Sequence, residues 1–337
     1  MRHLIFFVVL LLGLGVPSVA WAEPTTLRIG TLAPAESPWG QIFKVWQKGV
    51  SERSGGALEL QFFWNGVQGD ETVMVGKMRS GQLDGAALTA MGLARIYQHV
   101  LVLQLPGLFT TWEKLDRARN AMRPQLDAEF EKAGFQIGGW GDVGIAHTMS
   151  RGFPVRVPAD LKHRKTFYFA GDPVAPVIFS LIGDVTPRQL TVPEILPALM
   201  NNTIEVLTAP ALAAEQMQWA PRLDHIVTRA SGIGVGALVF TAPKLKGLPA
   251  DVQTILTETG KITGEALSNR VRREDAAAYL RLKARMTAYE PTDADVAAWR
   301  ALFVQAATRL RGAQFDAKMF DAAVANAQLE SPPPRAQ

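Results

Sequence analysis

Strands and helices alternate along the first part of this sequence, with short connections between them. Residues 26–31 alternate polar and apolar side chains as a strand does, and residues 39–52 carry apolar side chains at helical spacing. A strand over 58–63, a helix over 71–80 and an apolar strand over 85–89 follow. Short strand-helix-strand connections place consecutive strands side by side and parallel. The pattern predicts an α/β domain whose sheet is covered by helices.

The same alternation begins again after about residue 145, and no disordered linker separates the two parts. A helix over about 113–132 and the segment 135–142 lead into it. The second set comprises a strand over 166–169, helices near 173–181 and 192–201, and a strand over 204–207. Residues 232–240 are rich in Gly and apolar side chains and are expected to return to the first domain. Two ordered crossings between two domains form a hinge.

A helical pattern extends from Pro249 to about residue 289. Unbroken, it would span roughly 60 Å at 1.5 Å per residue, which is longer than a small domain is wide. We therefore expect one long helix that runs along both lobes, softened or bent by Gly260 and Gly264. Two C-terminal helices are predicted over about 293–311 and 315–328.

These patterns divide the chain into regions. The predicted regions are a signal peptide (1–22), lobe I (23–145, with the return segment 232–255), lobe II (146–231, with 256–328), and a flexible tail (329–337).

The N-terminal residues resemble a secretory signal. Arg2 and His3 precede an apolar run over 4–16, and Ala20 and Ala22 are the small residues that signal peptidase requires. The alternative, a retained membrane anchor, is disfavoured because the run is shorter than the roughly 20 residues that span a bilayer. The chain has no cysteine, so an N-terminal lipid and disulfides are excluded. We expect a periplasmic protein released by cleavage.

Residue patterns that carry catalysis or cofactor binding are not found in the sequence. The five histidines lack metal-ligand spacing. Gly139, Gly141 and Gly144 match a dinucleotide-binding pattern, but the residues after them do not open a helix that could meet a pyrophosphate. A net charge of +4 without a long basic run argues against nucleic acid. We therefore expect no enzyme, no metal and no cofactor.

Several short motifs occur in a recognisable order. They are Leu83-Asp84, Phe-Trp-Asn-Gly at 63–66, Leu-Pro-Gly-Leu-Phe at 105–109, Gly-Trp at 139–140, Pro-Ala-Asp-Leu-Lys at 158–162 and the helix after Leu-Pro at 248–249. Over about 26–325 this set resembles the DctP family, the extracytoplasmic solute receptors of TRAP transporters. The resemblance implies a two-lobed periplasmic-binding-protein fold, with two mixed sheets flanked by helices. It also implies a ligand in the cleft between the lobes and membrane permease subunits as partners.

The resemblance also implies which positions face the ligand. In the family an Arg on the strand after the Pro-x-Asp-Leu-Lys motif grips the ligand carboxylate, and that position is Phe167 here. A second Arg of the family falls on Ala146, and an Asn falls on Ala209. All three replacements remove polar groups. A buried carboxylate without a partner charge is unfavourable by several kcal/mol, so a small dicarboxylate is disfavoured.

The predicted ligand is therefore hydrophobic or amphipathic. Phe167 and Phe169 lie on one face of their predicted strand, because side chains alternate along a strand. Glu71 and Thr89 match positions near the ligand in relatives. The predicted ligand-binding residues are Trp39, Glu71, Thr89, Met91, Trp140, Ala146, Phe167, Phe169 and Ala209.

Other interpretations remain open at this point. Arg151, Arg156, Arg164 or Arg188 could supply a relocated cation for an ordinary organic acid. The aromatic residues named above could instead be packing residues of the core or hinge. The chain could also be a periplasmic lipid-binding or adaptor protein with a protein partner and no role in transport. An exported enzyme on this fold is disfavoured by the missing catalytic groups.

Overall fold

The computed structural model describes residues 24–328, so the predicted signal peptide and the predicted tail lie outside the described residues. The strands are β1 (Thr25–Thr31), β2 (Leu58–Phe63), β3 (Gly85–Thr89), β4 (Phe135–Ser150), β5 (Lys165–Phe169), β6 (Thr186–Leu190), β7 (Val206–Pro210), β8 (His225–Val227), β9 (Gly232–Thr241) and β10 (Thr287–Tyr289). The helices are α1 (Pro38–Arg53), α2 (Glu71–Arg79), α3 (Ala90–Leu93), α4 (Trp112–Lys132), α5 (Ala175–Ile182), α6 (Val192–Met200), α7 (Ala211–Gln216), α8 (Ala242–Lys246), α9 (Ala250–Arg285), α10 (Asp293–Leu310) and α11 (Ala317–Gln328). Short 3₁₀ segments occur at Gln98–Gln104, Pro158–Leu161 and Ala220–Arg222.

The strands form a mixed sheet with helices on both sides. Its main path runs β2-β1-β3-β9-β4-β7-β5-β6, with β8 beside β4 and β10 beside β8. Strand β1 is parallel to β2 and β3, and β5 is parallel to β6 and β7. The predicted α/β architecture is confirmed. The two mixed sheets expected from the sequence are continuous, because β4 hydrogen-bonds in both halves.

Strand β4 changes its partners along its length. It pairs with β9 from Phe135 to Ala146 and then with β7 from Ala146 to Ser150. The register shifts between Asp142 and Gly144, where Gly144 has φ +140°. Such an irregularity bends the strand locally and increases its twist. β4 and the antiparallel β9 are thus the two crossings that the sequence predicts.

Helix α9 is attached to both halves of the molecule. Near its start, Thr259 Oγ1 accepts a hydrogen bond of 2.9 Å from Trp46 Nε1 of α1. Further along, Asp275 accepts hydrogen bonds from the backbone N–H groups of Ile145 and Leu212, at 2.7 and 2.9 Å. The 36-residue helix is uninterrupted. This agrees with the expectation of one long helix along both lobes.

The glycines of α9 have a packing role. A Cβ added at Gly264 would lie 2.4 Å from Trp140 O, and one added at Gly139 would lie 2.4 Å from Gly260 O. No Cβ tolerates such a distance, so glycine lets the helix lie directly against the backbone of β4. Gly260 and Gly264, where the sequence predicts softening or bending, lie within the continuous helix at this close approach.

Over residues 24–328, none of the helices has both the length and the apolar character needed to cross a bilayer.

Candidate ligand-binding cavity

A cavity of about 970 Å³ lies between the two halves of the sheet. Residues near the C-terminal ends of β1, β3, β5 and β7 line it. Ligands of open α/β sheets bind at such strand ends, where the chain turns toward a helix. The cavity is lined by eight of the nine predicted residues: Trp39, Glu71, Thr89, Met91, Ala146, Phe167, Phe169 and Ala209.

Trp140 is the predicted residue that does not line the cavity. Its indole packs edge-on against Phe130 of α4, with ring centroids 6.5 Å apart, and its Nε1 donates to Asp127 Oδ1 at 3.1 Å. The neighbouring Gly139 and Gly141 line the cavity. Since side chains alternate along a strand, Trp140 points to the opposite face and belongs to the core beneath α4.

Phe167 and Phe169 form an aromatic wall on β5. Their ring centroids are 4.7 Å apart at an interplanar angle of 80°, which is an edge-to-face pair. Phe167 is buried, with 7% of its surface exposed, and Phe169 is half-buried. Ala209 of the neighbouring strand β7 is also buried. This part of the wall offers no charge to a bound molecule.

Ala146 of β4 lies on the face of the sheet opposite to the face that carries Phe167, Phe169 and Ala209. In the antiparallel pairing of β4 with β7, Ala146 is opposite Pro210 and His147 is opposite Ala209. The side chain of His147, and not that of Ala146, therefore shares a face with Ala209. The cavity reaches the face of Ala146 as well, where Thr148 Oγ1 lies 3.0 Å from Thr208 Oγ1 and 3.2 Å from Ser231 Oγ. These hydroxyls were not among the predicted residues, although strand alternation places Thr148 on the same face as Ala146. Groups that line the cavity therefore occur on both faces of this sheet.

Glu71 joins three elements of the cavity wall, namely α2, the end of β3 and α3. It is the first residue of α2, and its carboxylate accepts hydrogen bonds from Thr89 N, Thr89 Oγ1 and Gly92 N at 2.5, 2.6 and 3.1 Å. Burial raises the pKa of Glu71, and these hydrogen bonds oppose that shift. Because Glu71 holds the start of α3, it also positions Met91, which lies on that short helix.

Two further carboxyl groups line the cavity and are already bound by the protein. Asp172 accepts hydrogen bonds from Val174 N and Ala175 N, at 2.7 and 3.4 Å, and burial raises its pKa. Asp142 Oδ1 pairs with Arg119 Nη1 at 2.6 Å, and its Oδ2 pairs with Arg272 Nη2 at 2.7 Å. These acids stabilise the walls.

The sequence left open that Arg151, Arg156, Arg164 or Arg188 supplies a relocated cation for an organic acid. None of these four arginines lines the cavity. Arg151 donates to Leu199 O at 2.6 Å, Arg156 pairs with Asp160 at 3.2 Å, and Arg164 lies 3.9 Å from the ring centre of Phe153. Arg188 donates to the carbonyl of its neighbour in sequence, Pro187. The basic residues that do line the cavity are Lys114, Arg229 and Arg300. No local sequence signal marks them, because they come from three separate segments.

Metal-binding chemistry has no evident place in the described part of the chain. Residues 24–328 contain no group of three or more His, Asp or Glu side chains that could hold a metal ion. The arrangement is a partly open, mainly apolar cleft between two halves joined by crossing strands. Such a volume can enclose a small molecule.

The chain resembles several solute-binding proteins. It is 23% identical over 310 residues to a solute-binding protein of Verminephrobacter eiseniae (strain EF01-2), covering 90% of this chain and 88% of that protein. The structure matches the sugar acid binding protein DctPAm from Advenella mimigardefordensis, in complex with galactonate, with TM-score 0.84, 16% identity, and coverage of 90% and 98%. It matches a TRAP periplasmic solute binding protein from Shewanella oneidensis, with bound succinate, with TM-score 0.83, 16% identity, and coverage of 90% and 100%.

These structural matches show a shared two-lobed fold, at identities too low to transfer a ligand. The family evidence comes from the sequence, where residues 29–310 match DctP, described as bacterial extracellular solute-binding protein, family 7. Since that match spans most of the chain, the predicted resemblance is confirmed, and the chain belongs to the DctP family of bacterial extracellular solute-binding proteins.

Proposed function

We propose that this protein is the periplasmic receptor of a TRAP-type secondary transporter and that it encloses a solute whose body is largely apolar. It acts as a receptor and carries out no reaction. The observation that carries the ligand class is the wall formed by Phe167, Phe169 and Ala209 at the end of β5 and β7. At two of these positions the family resemblance implies an Arg and an Asn.

The free energy of desolvation supports an apolar ligand body. A carboxylate placed against Phe167 would lose its water without gaining a cation, which is unfavourable by several kcal/mol. Each 1.4 kcal/mol corresponds to about tenfold in affinity. An apolar group at the same place gains about 25 cal/mol for each Å² removed from water. The wall therefore favours hydrocarbon or aromatic surface over a small polar acid.

The size of the cavity supports the same ligand class. Its volume of about 970 Å³ is near the upper end of the roughly 300–1,000 Å³ that small-molecule pockets occupy. Galactonate and succinate, the molecules bound by two structural neighbours, are small polar acids. A longer molecule would fill this volume better, and the aromatic wall favours an apolar one.

Release to the permease would use the crossing strands. β4 and β9 connect the proposed lobe I (23–145) to lobe II (146–231), and a rotation about them would open the cavity. We infer that the solute favours the closed arrangement because it contacts both lobes at once.

Mass spectrometry of the purified mature protein tests this proposal, first in the native state and then after organic extraction. We expect a co-purifying molecule with a large apolar part, and no measurable binding of succinate by calorimetry. A micromolar affinity for succinate or another C4-dicarboxylate would contradict the proposed ligand class.

A further inference from the structure

The cavity extends beyond its aromatic wall. We call the region around Phe167, Phe169 and Met91 the aromatic end. The cavity continues past the lobe II sheet to the loop before α4 and to α10. Lys114, Arg229 and Arg300 line it there, and we call this region the basic end.

Packing brings the three basic residues to one region. Gly107 N donates to Ser231 O at 2.9 Å, so the loop before α4 lies beside the segment that carries Arg229. A Cβ added at Gly107 would lie 2.7 Å from the Phe303 ring, so the same loop also lies against α10. Phe303 is about one helical turn from Arg300. Lys114 lies in the first turn of α4, a few residues after this loop.

The three cations have no acidic partner among the residues that the structure describes. None of Lys114, Arg229 and Arg300 occurs in an ion pair within residues 24–328, although 17 such pairs are present there. Arg229 and Arg300 are exposed, and Lys114 is half-buried. A head group bound here would keep part of its water, so the desolvation that disfavours a carboxylate at Phe167 would be smaller.

Two acidic groups of the cavity lie toward the aromatic end, and the third, Asp142, is paired with both Arg119 and Arg272 beside α4. Glu71 is hydrogen-bonded to Thr89 and Gly92 beside Met91, and Asp172 follows the end of β5, close after Phe169. The hydroxyls of Thr148, Thr208 and Ser231 line the cavity on the face of the sheet opposite the two Phe rings. The charge distribution would thus orient a molecule that has one anionic end.

We propose that Lys114, Arg229 and Arg300 form an anion subsite, and that the solute is an elongated amphipathic anion whose head lies at this basic end and whose apolar body lies at the aromatic end. This inference rests on the proposed function. Under this proposal the ligand keeps an acidic group. The cation that binds that group comes from the basic end and not from the position of Phe167.

Calorimetry with matched ligand pairs tests the subsite in the full mature chain. The probes are decanoate with decanol, and 4-phenylbutyrate with 4-phenylbutanol. We expect each acid to bind more tightly than its alcohol, with a difference that shrinks between 0.05 and 0.5 M salt as exposed charges are screened. Arg229→Gln and Arg300→Gln should each weaken the acids by roughly fivefold and leave the alcohols unchanged. Arg188→Gln, outside the cavity, is the matched control and should change neither.

The possible outcomes separate the two proposals. Equal binding of acid and alcohol, or acid binding unaffected by Arg229→Gln and Arg300→Gln, would overturn the anion subsite and leave the apolar receptor standing. Tight binding of succinate together with no binding of any of the four probes would overturn both.

Discussion

At the residue scale, the proposed ligand class depends most on Phe167. It occupies the place where the family resemblance implies an Arg, and its ring lies edge-to-face with Phe169 at 4.7 Å. Under the proposed function, this single side chain disfavours a carboxylate and favours an apolar group at the aromatic end. The three cations at the other end come from residues that the family resemblance does not mark.

Phe167→Arg should convert the aromatic end into an acid site. Charge-assisted hydrogen bonds contribute about 1.5–3 kcal/mol, so we expect succinate affinity to rise by roughly tenfold or more. Retention of the apolar co-purifying molecule should fall. Calorimetry and native mass spectrometry measure the two effects, and circular dichroism checks folding. Leu280→Arg, at a position on α9 that is 65% exposed, is the control for added charge. A folded Phe167→Arg protein that binds no succinate and retains its apolar ligand would contradict this account.

Helix α9 and strand β4 form the contact that holds the two crossings in place. Their backbones approach so closely that Gly139, Gly260 and Gly264 have no room for a Cβ. The same helix supplies Asp275, whose carboxylate binds the N–H of Ile145 in β4 and of Leu212 in α7. One helix thus fixes a crossing strand and a lobe II helix together.

Gly264→Ala should destabilise the protein. Its Cβ would lie 2.4 Å from Trp140 O, and relieving that clash requires backbone movement. We expect the free energy of unfolding to fall by about 1–3 kcal/mol. Gly49→Ala in α1 is the matched control, because a Cβ there meets nothing within 4 Å, and it should raise stability by up to about 1 kcal/mol. Chemical denaturation measures both, and equal effects of the two substitutions would show that the α9 contact is unimportant.

Asp275 should make stability depend on pH. Burial raises the pKa of Asp275 from 3.8 to about 6. The folded state therefore holds the proton more tightly than the unfolded state, so this contribution favours folding below pH 3.8 and is lost as the pH rises through 6. The change is on the order of 3 kcal/mol.

Urea unfolding at pH 4.5 and 7 measures this contribution. Glu71 and Asp172 also have raised pKa values, so the wild-type slope has several sources. Asp275→Asn, compared with the wild type, isolates one of them. We expect the variant to be less stable overall and to lose less stability between the two pH values. An unchanged pH slope would mean that Asp275 does not titrate in this range.

At the scale of the whole molecule, Arg95 makes one of the hydrogen bonds that join the two proposed lobes. Arg95 follows α3 in the chain. Its Nη2 donates a hydrogen bond of 2.9 Å to the carbonyl oxygen of Ala170, just after the end of β5. The guanidinium lies against Gly171, where an added Cβ would meet Arg95 Nη2 at 1.7 Å. This contact joins a lobe I loop to a lobe II loop beside Asp172 and can exist only while the two lobes are close together.

Arg95→Ala should speed the release of ligand. Removing a contact that is present only in the closed arrangement shifts the lobes toward opening, and a hydrogen bond of about 1 kcal/mol corresponds to roughly fivefold in the dissociation rate. Stopped-flow measurements with the co-purifying ligand or decanoate would detect it. Arg188→Ala is the control. A dissociation rate equal to that of the wild type would show that Arg95 does not stabilise closure.

Much of the element order follows from local patterns. The predicted strands at 58–63 and 85–89 have the observed bounds, and the predicted helices near α1, α4 and α10 differ by one residue or so at their ends. Strands β6, β8 and β10 were not predicted, because they are three to five residues long and lack clear alternation. Helix α7 was also not predicted, because the residue before it, Pro210, offers no side-chain capping group to mark its start.

The candidate site was predictable where it depends on strand ends and family motifs. Eight of the nine proposed residues line the cavity, because motifs at the ends of successive strands meet at one edge of the sheet. Trp140 was misplaced because its neighbours Gly139 and Gly141, and not its own side chain, face the cavity. The alternation of side chains along a strand shows which residues share a face of the sheet, but it does not show which face lines the cavity.

The sequence by itself determined the α/β class, the two crossings, the long helix and the presence of Phe167, Ala146 and Ala209 where the family resemblance implies polar side chains. These depend on periodicity, on short connections and on residue identity at matched motifs, all of which are local properties. Only the tertiary structure decided that Lys114, Arg229 and Arg300 line one end of the cavity and that Gly260 and Gly264 lie against β4. Those relations join residues far apart in the chain, and they follow from packing, which no local pattern records.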